Sequence, residues 1–174
     1  EYLIYIKKYF PKVKINLVFH NDPLSLRGSI SKRERENIIE NCNKIVFISR
    51  WIQQRFFFFF KNVNLSNTTI IPHGISKIKN IKLNQKEKNI LFVAKLNEAK
   101  GYHIFCNAAE KFKKIDPTWN FIAIGNEARK NIFPDPCVVK EIGYKKNKEV
   151  LNYYTKSEIA VGNSVWNEPL GRIA

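Results

Sequence analysis

Six short apolar runs recur along the chain with longer amphipathic segments between them, and this alternation limits the possible folds more than any other feature. The runs at 15–19, 44–48, 68–71, 90–94, 120–124 and 158–161 are rich in β-branched and aromatic residues and read as strands. Most lack polar alternation, so they are expected to be covered on both faces, as parallel strands are between helices. Ser31 and Glu34 have the spacing of a capping box ahead of a helix over 33–41. Over 102–115, Phe105, Ala108, Ala109, Phe112 and Ile115 recur at helical spacing and predict a second helix with one apolar face. Repeated strand–helix alternation argues for the α/β class with doubly wound parallel sheets.

The order of elements suggests two partial sheets. Residues 75–89 read I-S-K-I-K-N-I-K-L-N-Q-K-E-K-N, polar, Lys-rich and without a firm period, which is the signature of a linker. The expected organisation is therefore a first α/β unit over 1–74, a linker over 75–88 and a second unit over 89–174. With 44% apolar and 26% charged residues over 174 positions, the chain can bury a real core. It begins at Glu1 and contains no Met, and reads as an internal piece of a longer protein.

Other features bound the partners. No apolar stretch approaches the roughly 20 residues of a membrane span. Cys42, Cys106 and Cys137 are odd in number, far apart and form no C-x-x-C, so reduced, buried thiols in a cytosolic protein are expected and no metal site is indicated. The formal charge of +15 admits nucleic acid, an anionic membrane or a phosphorylated substrate. It is also compatible with a solvated Lys-rich surface. Five consecutive phenylalanines, Phe56 to Phe60, sit between Arg55 and Lys61. They read either as an interfacial anchor or as a helix end whose inner rings pack on the sheet and whose outer rings are exposed.

The sequence has no G-x-S-x-G, G-x-x-x-x-G-K-[ST], H-E-x-x-H or G-x-G-x-x-G, nor a D-x-D pair to hold a divalent ion on a diphosphate. It does have V-A-K-L-N-E-A-K-G, residues 93–101, directly after a strand and directly before a helix. Lys95 and Lys100 then stand in a strand-to-helix loop beside a helix N-terminus, where free N–H groups and the helix dipole suit a phosphate or diphosphate.

This loop resembles the G-R-L-x-x-x-K-G segment of family 4 retaining glycosyltransferases, with Ala94 and Lys95 in place of the family's Gly and Arg. Further segments follow in the family's order. Residues 70–75, I-I-P-H-G-I, are similar to its I-P-N-G-V; Ile142, Gly143 and Tyr144 with Glu149 resemble its G-x-(5)-E stretch. Glu168, Pro169, Leu170 and Gly171 resemble the E-P-F-G that opens its paired-Glu signature, and Phe19-His20-Asn21-Asp22 is similar to its His-containing loop.

The resemblance implies a GT-B fold of two Rossmann-like domains and a retaining, metal-independent enzyme that needs no cofactor beyond its nucleotide-diphosphate sugar donor. Lys95 and Lys100 would meet the diphosphate, together with the amides around Leu170 and Gly171. Glu168 would accept hydrogen bonds from donor-sugar hydroxyls, and its partner Glu would fall two positions beyond Ala174. His20 would contact the donor sugar or orient the acceptor, and Gly143 would lie near the base. His73 and His103 are expected to be structural, and Glu98 and Arg172 secondary candidates. The acceptor would be a glycan, a lipid-linked or another cell-envelope molecule, and the place of action cytoplasmic, with peripheral contact at the inner face of the membrane. The competing readings are a basic module that stacks single-stranded nucleic acid on Trp51, Tyr153 and Tyr154, and a GT-B relative with epimerase or phosphorylase chemistry.

Overall fold

The computed structural model describes residues 2–62, 64–74, 86–127 and 138–170. They fall into two compact units: residues up to 74 together with 169–170, and residues 86–168. Cys137, Gly171, Arg172 and residues 75–85 of the expected linker lie outside the described residues.

The first unit runs α1 (Tyr2–Tyr9), β1 (Asn16–Phe19), α2 (Lys32–Asn41), β2 (Lys44–Phe47), α3 (Arg50–Phe56) and β3 (Thr68–Ile70). Its three strands pair in parallel in the order β1-β2-β3. The capping box forms as expected: Ser31 N–H donates to Glu34 Oε2 at 2.8 Å and Glu34 N–H to Ser31 Oγ at 3.2 Å, so two N-terminal donors are satisfied. Ser49 caps α3 by accepting from Ile52 N–H. Phe19, Ile45, Phe47, Ile38, Ile52 and Phe56 form the core, with the rings of Phe19 and Phe56 edge to face at 5.1 Å.

The phenylalanine run divides at the end of α3. Phe56 is buried, Phe57 packs against the same core, and Phe58 and Phe59 are exposed. Arg35 holds this turn. It is 1% exposed and donates through Nη1 to the carbonyls of Ser29 and Ile30, and through Nη2 to that of Phe58. Burial lowers its pKa. Nothing in the hydropathy pattern marks Arg35 as interior, because its partners are backbone carbonyls of loops.

The second unit runs β4 (Glu87–Val93), a single 3-10 turn (Glu98–Lys100), α4 (Tyr102–Lys113), β5 (Asn120–Ile124), β6 (Val139–Glu141), α5 (Asn147–Lys156) and β7 (Ser157–Val161). The strands are parallel in the order β6-β5-β4-β7. Its sheet is packed on both sides. Ile90, Phe92, Phe121 and Ala123 meet Tyr102, Phe105 and Ala109 of α4, while Leu91, Ile122 and Ile124 meet Val150, Tyr153 and Tyr154 of α5. Two apolar faces explain why β4 and β5 show no polar alternation.

Four expectations are corrected. β4 begins at Glu87, inside the span assigned to the linker. Ile115 lies beyond the end of α4 and is 80% exposed, and Ala108 is exposed as well. The buried stripe is Tyr102, Phe105, Cys106 and Ala109, in which a tyrosine and a thiol take the place of aliphatic residues. Two-sided cover does not extend to β1, where Val18 is exposed, or to β7, where Glu158, Ile159 and Ala160 are exposed. β7 is an edge of the described sheet, paired only to β4. Cys42 and Cys106 are free and buried, as expected, and burial pushes both thiols up.

Candidate functional site

In the second unit the chain passes from β4 to β5 and β6 on one side, then returns through α5 to place β7 on the other side of β4. The strand order therefore reverses between β4 and β7, and at such a switch point the loops beyond the carboxyl ends of the two strands diverge and leave a crevice. The loops after β4 and β7 are 94–101 and 162–168.

The first of these is tightly held. Asn97 Oδ1 accepts from Lys100 N–H at 3.1 Å and closes the 3-10 turn, while Asn97 Nδ2 donates to Glu127 Oε2 at 2.8 Å. Gly101 then adopts φ 73°, and a Cβ there would lie 2.1 Å from the carbonyl oxygen of Asn163. The close approach brings Asn163 Nδ2 within 2.9 Å of the Gly101 carbonyl, to which it donates. Val165 N–H donates to the Ala99 carbonyl at 3.1 Å. The two loops flanking the switch point are thus laced together by one side-chain and one backbone hydrogen bond, and only Gly fits at position 101.

Lys100 and Glu168 meet there. Lys100 Nζ is ion-paired and hydrogen-bonded to Glu168 Oε1, and Ser164 Oγ donates to the same oxygen at 2.7 Å. Lys100 Nζ also stands 5.6 Å from the centre of the Trp166 ring, within cation–π range. Partial burial alone would raise the Glu168 carboxyl, but the hydrogen bonds from Lys100 and Ser164 and the Lys100 charge outweigh it and hold the group below its ordinary value. The carboxylate therefore stays an acceptor at neutral pH, and Lys100 stands just ahead of the N-terminus of α4, where the helix dipole favours an anion.

The neighbouring loops join the same edge. Gly125 after β5 has φ 152°, and a Cβ there would fall 1.8 Å from the Ala94 carbonyl oxygen. Its N–H donates to the Gly143 carbonyl at 3.0 Å. Gly143, after β6, is itself left-handed at φ 70° and exposed. Lys95 is exposed in the loop after β4, and no contact among the described residues joins it to Lys100 or Glu168. Residues 165–166 and 169–170 are bends and 167–168 are irregular, so a helix start at Pro169 is not seen among the described residues. Leu170 packs on the core of the first unit.

In the first unit His20 follows β1 and is exposed. Its loop is anchored two residues on, where Asp22 takes Arg55 in a bidentate pair, Nε to Oδ1 at 3.1 Å and Nη2 to Oδ2 at 2.8 Å, and accepts from Leu24 N–H at 3.0 Å. Burial would raise the Asp22 carboxyl, but Arg55 and Leu24 outweigh it and hold the group below its ordinary value. His73, expected to be structural, is also exposed and faces His20.

A cavity of about 690 Å³ lies elsewhere, lined by Asn89, Asn120, Val139, Glu149 and Tyr153 among others. It opens at the amino ends of β4, β5 and β6, the edge opposite Lys100 and Glu168.

Asn97, Ser164, Asn163, Gly125 and Trp166 were not singled out from sequence. Each is one residue in a polar loop whose partner lies on another loop, so no local spacing marks it. The N-cap character of Asn97, three residues ahead of Lys100, is the only signal that could have been read.

The parallel sheets, the helices on both faces of the second one and the switch-point loops define a fold shared with GT-B glycosyltransferases. HepE of Anabaena, solved in complex with UDP and glucose, is similar with a TM-score of 0.69 and 14% identity over 98% of this chain and 52% of that one. A glycosyltransferase of Rickettsia africae ESF-5 is similar with a TM-score of 0.64 and 17% identity over 98% of this chain and 56% of that one. Residues 75–174 match the family model of glycosyl transferases group 1, and the chain belongs to that family. A curated relative, spore coat protein SA of Bacillus subtilis strain 168, is 24% identical over 97% of this chain and 52% of its own length. The chain thus spans about half the length of that relative.

Proposed function

We propose that the protein transfers a sugar, with retention, from a nucleotide-diphosphate donor, and that it is of the family 4 type. The observation that carries this reading is the Lys100–Glu168 pair at the switch point between β4 and β7, within the residues that match the family model. When the anomeric C–O bond breaks, negative charge grows on the leaving diphosphate. Preorganised donors in place before the reaction stabilise that charge most effectively. Lys100 is the donor in this reading, aided by the dipole at the N-terminus of α4, with Lys95 as a second cation. An ammonium is a compact point charge that can serve a carboxylate and a phosphate oxygen at once. Lys100 can therefore keep Glu168 oriented while it meets the diphosphate. Glu168, held ionised, accepts from hydroxyls of the donor sugar, and Gly143 lies at the base end. No step in this scheme requires a metal or a further cofactor.

His20 completes the scheme as the residue that touches the donor sugar or the acceptor hydroxyl. The acceptor we assign to the glycan, lipid-linked or cell-envelope class; the name of the spore-coat relative supports an envelope product. Peripheral contact with an anionic membrane at the cytoplasmic face belongs to the same reading, supported by the +15 charge.

Donor binding and turnover of the full-length protein test it, with UDP-sugars as the first probes. Removing one preorganised donor is expected to lower kcat by about 10² to 10³. Lys100→Ala should do so, and Glu168→Gln, which removes the charged acceptor for the sugar hydroxyls, should also lower turnover. If both variants keep wild-type donor affinity and turnover, the reading is wrong.

A further inference from the structure

His20 and His73 follow β1 and β3, the strands on either side of β2, so their loops meet across the carboxyl end of β2. Nδ1 of His20 and Nε2 of His73 are 3.1 Å apart, with ring centroids 5.0 Å apart and planes 14° from parallel. Two neutral imidazoles make such a hydrogen bond only when one supplies the N–H and the other the lone pair. The two arrangements have opposite consequences for the far nitrogen of His20. If His20 Nδ1–H donates, its Nε2 is bare and only accepts. If His73 Nε2–H donates, His20 Nδ1 is the acceptor, and its Nε2 carries the hydrogen and only donates. An exposed imidazole with no partner would exchange between these tautomers.

We propose that His73 is a positioning residue that holds His20 in one tautomer and one ring orientation, and so decides whether Nε2 of His20 accepts from or donates to a substrate hydroxyl. The proposal rests on the reading of His20 as a residue that touches substrate. The backbone is prepared for this role. Asp22 fixes the His20 loop through Arg55 and Leu24 N–H, and Ile71 N–H donates to the Phe47 carbonyl at 2.9 Å beside the His73 loop. With both loops tied down nearby, the contact between the rings sets the remaining freedom, rotation of the His20 side chain. The charged pair nearest in sequence, Asp22 and Arg55, is satisfied within itself, so the partner described for the His20 ring is His73. The family pattern similar to residues 70–75 carries Asn at this position, a residue that also offers one donor and one acceptor to an imidazole. This makes His73→Asn the conservative variant.

The experiment is long-range ¹H–¹⁵N NMR on the full-length protein with labelled histidine, recorded on neutral imidazoles, with His20→Ala used to assign the signals. His20 is expected to show one tautomer in the wild type and an averaged pattern in His73→Ala. In the same series kcat should fall about tenfold in His73→Ala, as for loss of one orienting hydrogen bond, with KM and thermal stability little changed, and His73→Asn should recover part of the loss. Identical His20 nitrogen shifts in wild type and His73→Ala, or averaged tautomers in the wild type, would overturn the proposal. Altered shifts in His73→Ala combined with wild-type turnover of His20→Ala would instead overturn the placement of His20 at the substrate and leave the pairing standing.

Discussion

Gly125 shows how little freedom single positions have at the loop edge. Its hypothetical Cβ would sit 1.8 Å from the Ala94 carbonyl, and the obstacle is backbone, so the loop after β4 must move to admit any side chain. Gly125→Ala is expected to destabilise the protein by about 1–3 kcal/mol in urea unfolding and to weaken donor binding with it, because that loop carries Lys95 and Lys100. Wild-type stability in this variant would show that the approach is not as close as described. Asp22 carries a second prediction. Its folded pKa is depressed below the ordinary 3.8 by Arg55 and Leu24 in spite of burial. The ionised form therefore contributes stability in full above the unfolded value, and that contribution fades as pH falls through the lower folded value. Asp22→Asn should cost about 1–2 kcal/mol at pH 7, a charged hydrogen bond discounted for the partial exposure of Arg55. The gap to wild type should close in acid unfolding below about pH 4. A gap that widens in acid would contradict this account of the pair.

At the scale of elements, what could be read from the sequence depended on whether an element's burial was written in aliphatic residues. β4 and β5 were legible because Leu91, Ile122, Phe92 and Phe121 each bury against one helix or the other. β6 was not, since only Val139 of its three residues is buried. The face of α4 was legible in part: Phe105, Ala109 and Phe112 lie on it, whereas Tyr102 and Cys106 take interior places and Ala108 and Ile115 do not. The capping box of α2 was legible in full, since both of its bonds lie within four residues of sequence. At the end of α3, Phe59 has a positive φ of 74° and is 73% exposed, a left-handed conformation that costs an L-residue roughly 1–2 kcal/mol. Phe59→Gly should therefore raise the free energy of unfolding by about 1 kcal/mol, less whatever backbone entropy the glycine adds to the unfolded chain. Calorimetry that shows clear destabilisation would mean the ring makes stabilising contacts that its exposure does not suggest.

For the molecule as a whole, the proposed function is concentrated where the order of strands reverses. Lys100 and Glu168 are 68 positions apart, and the topology of one parallel sheet brings them together. The loop and signature motifs named both residues from sequence. The groups that hold them, Asn97, Asn163 and Ser164, stayed hidden because their partners are set by strand order rather than by local spacing. The linker boundary shifted for a related reason: Glu87 and Lys88 look polar in sequence, yet they begin β4 because the ladder with β7 starts at Glu87 and Ser157. The roughly 690 Å³ cavity at the opposite sheet edge offers a clear alternative location for a ligand. The most direct test of the central claim is a crystal structure of the full-length protein with a bound nucleoside diphosphate. The account predicts phosphate oxygens within hydrogen-bond distance of Lys100 Nζ, at the N-terminal end of α4, with Glu168 free to meet the sugar. A diphosphate bound in the amino-edge cavity, with Lys100 still engaged only by Glu168, would contradict it.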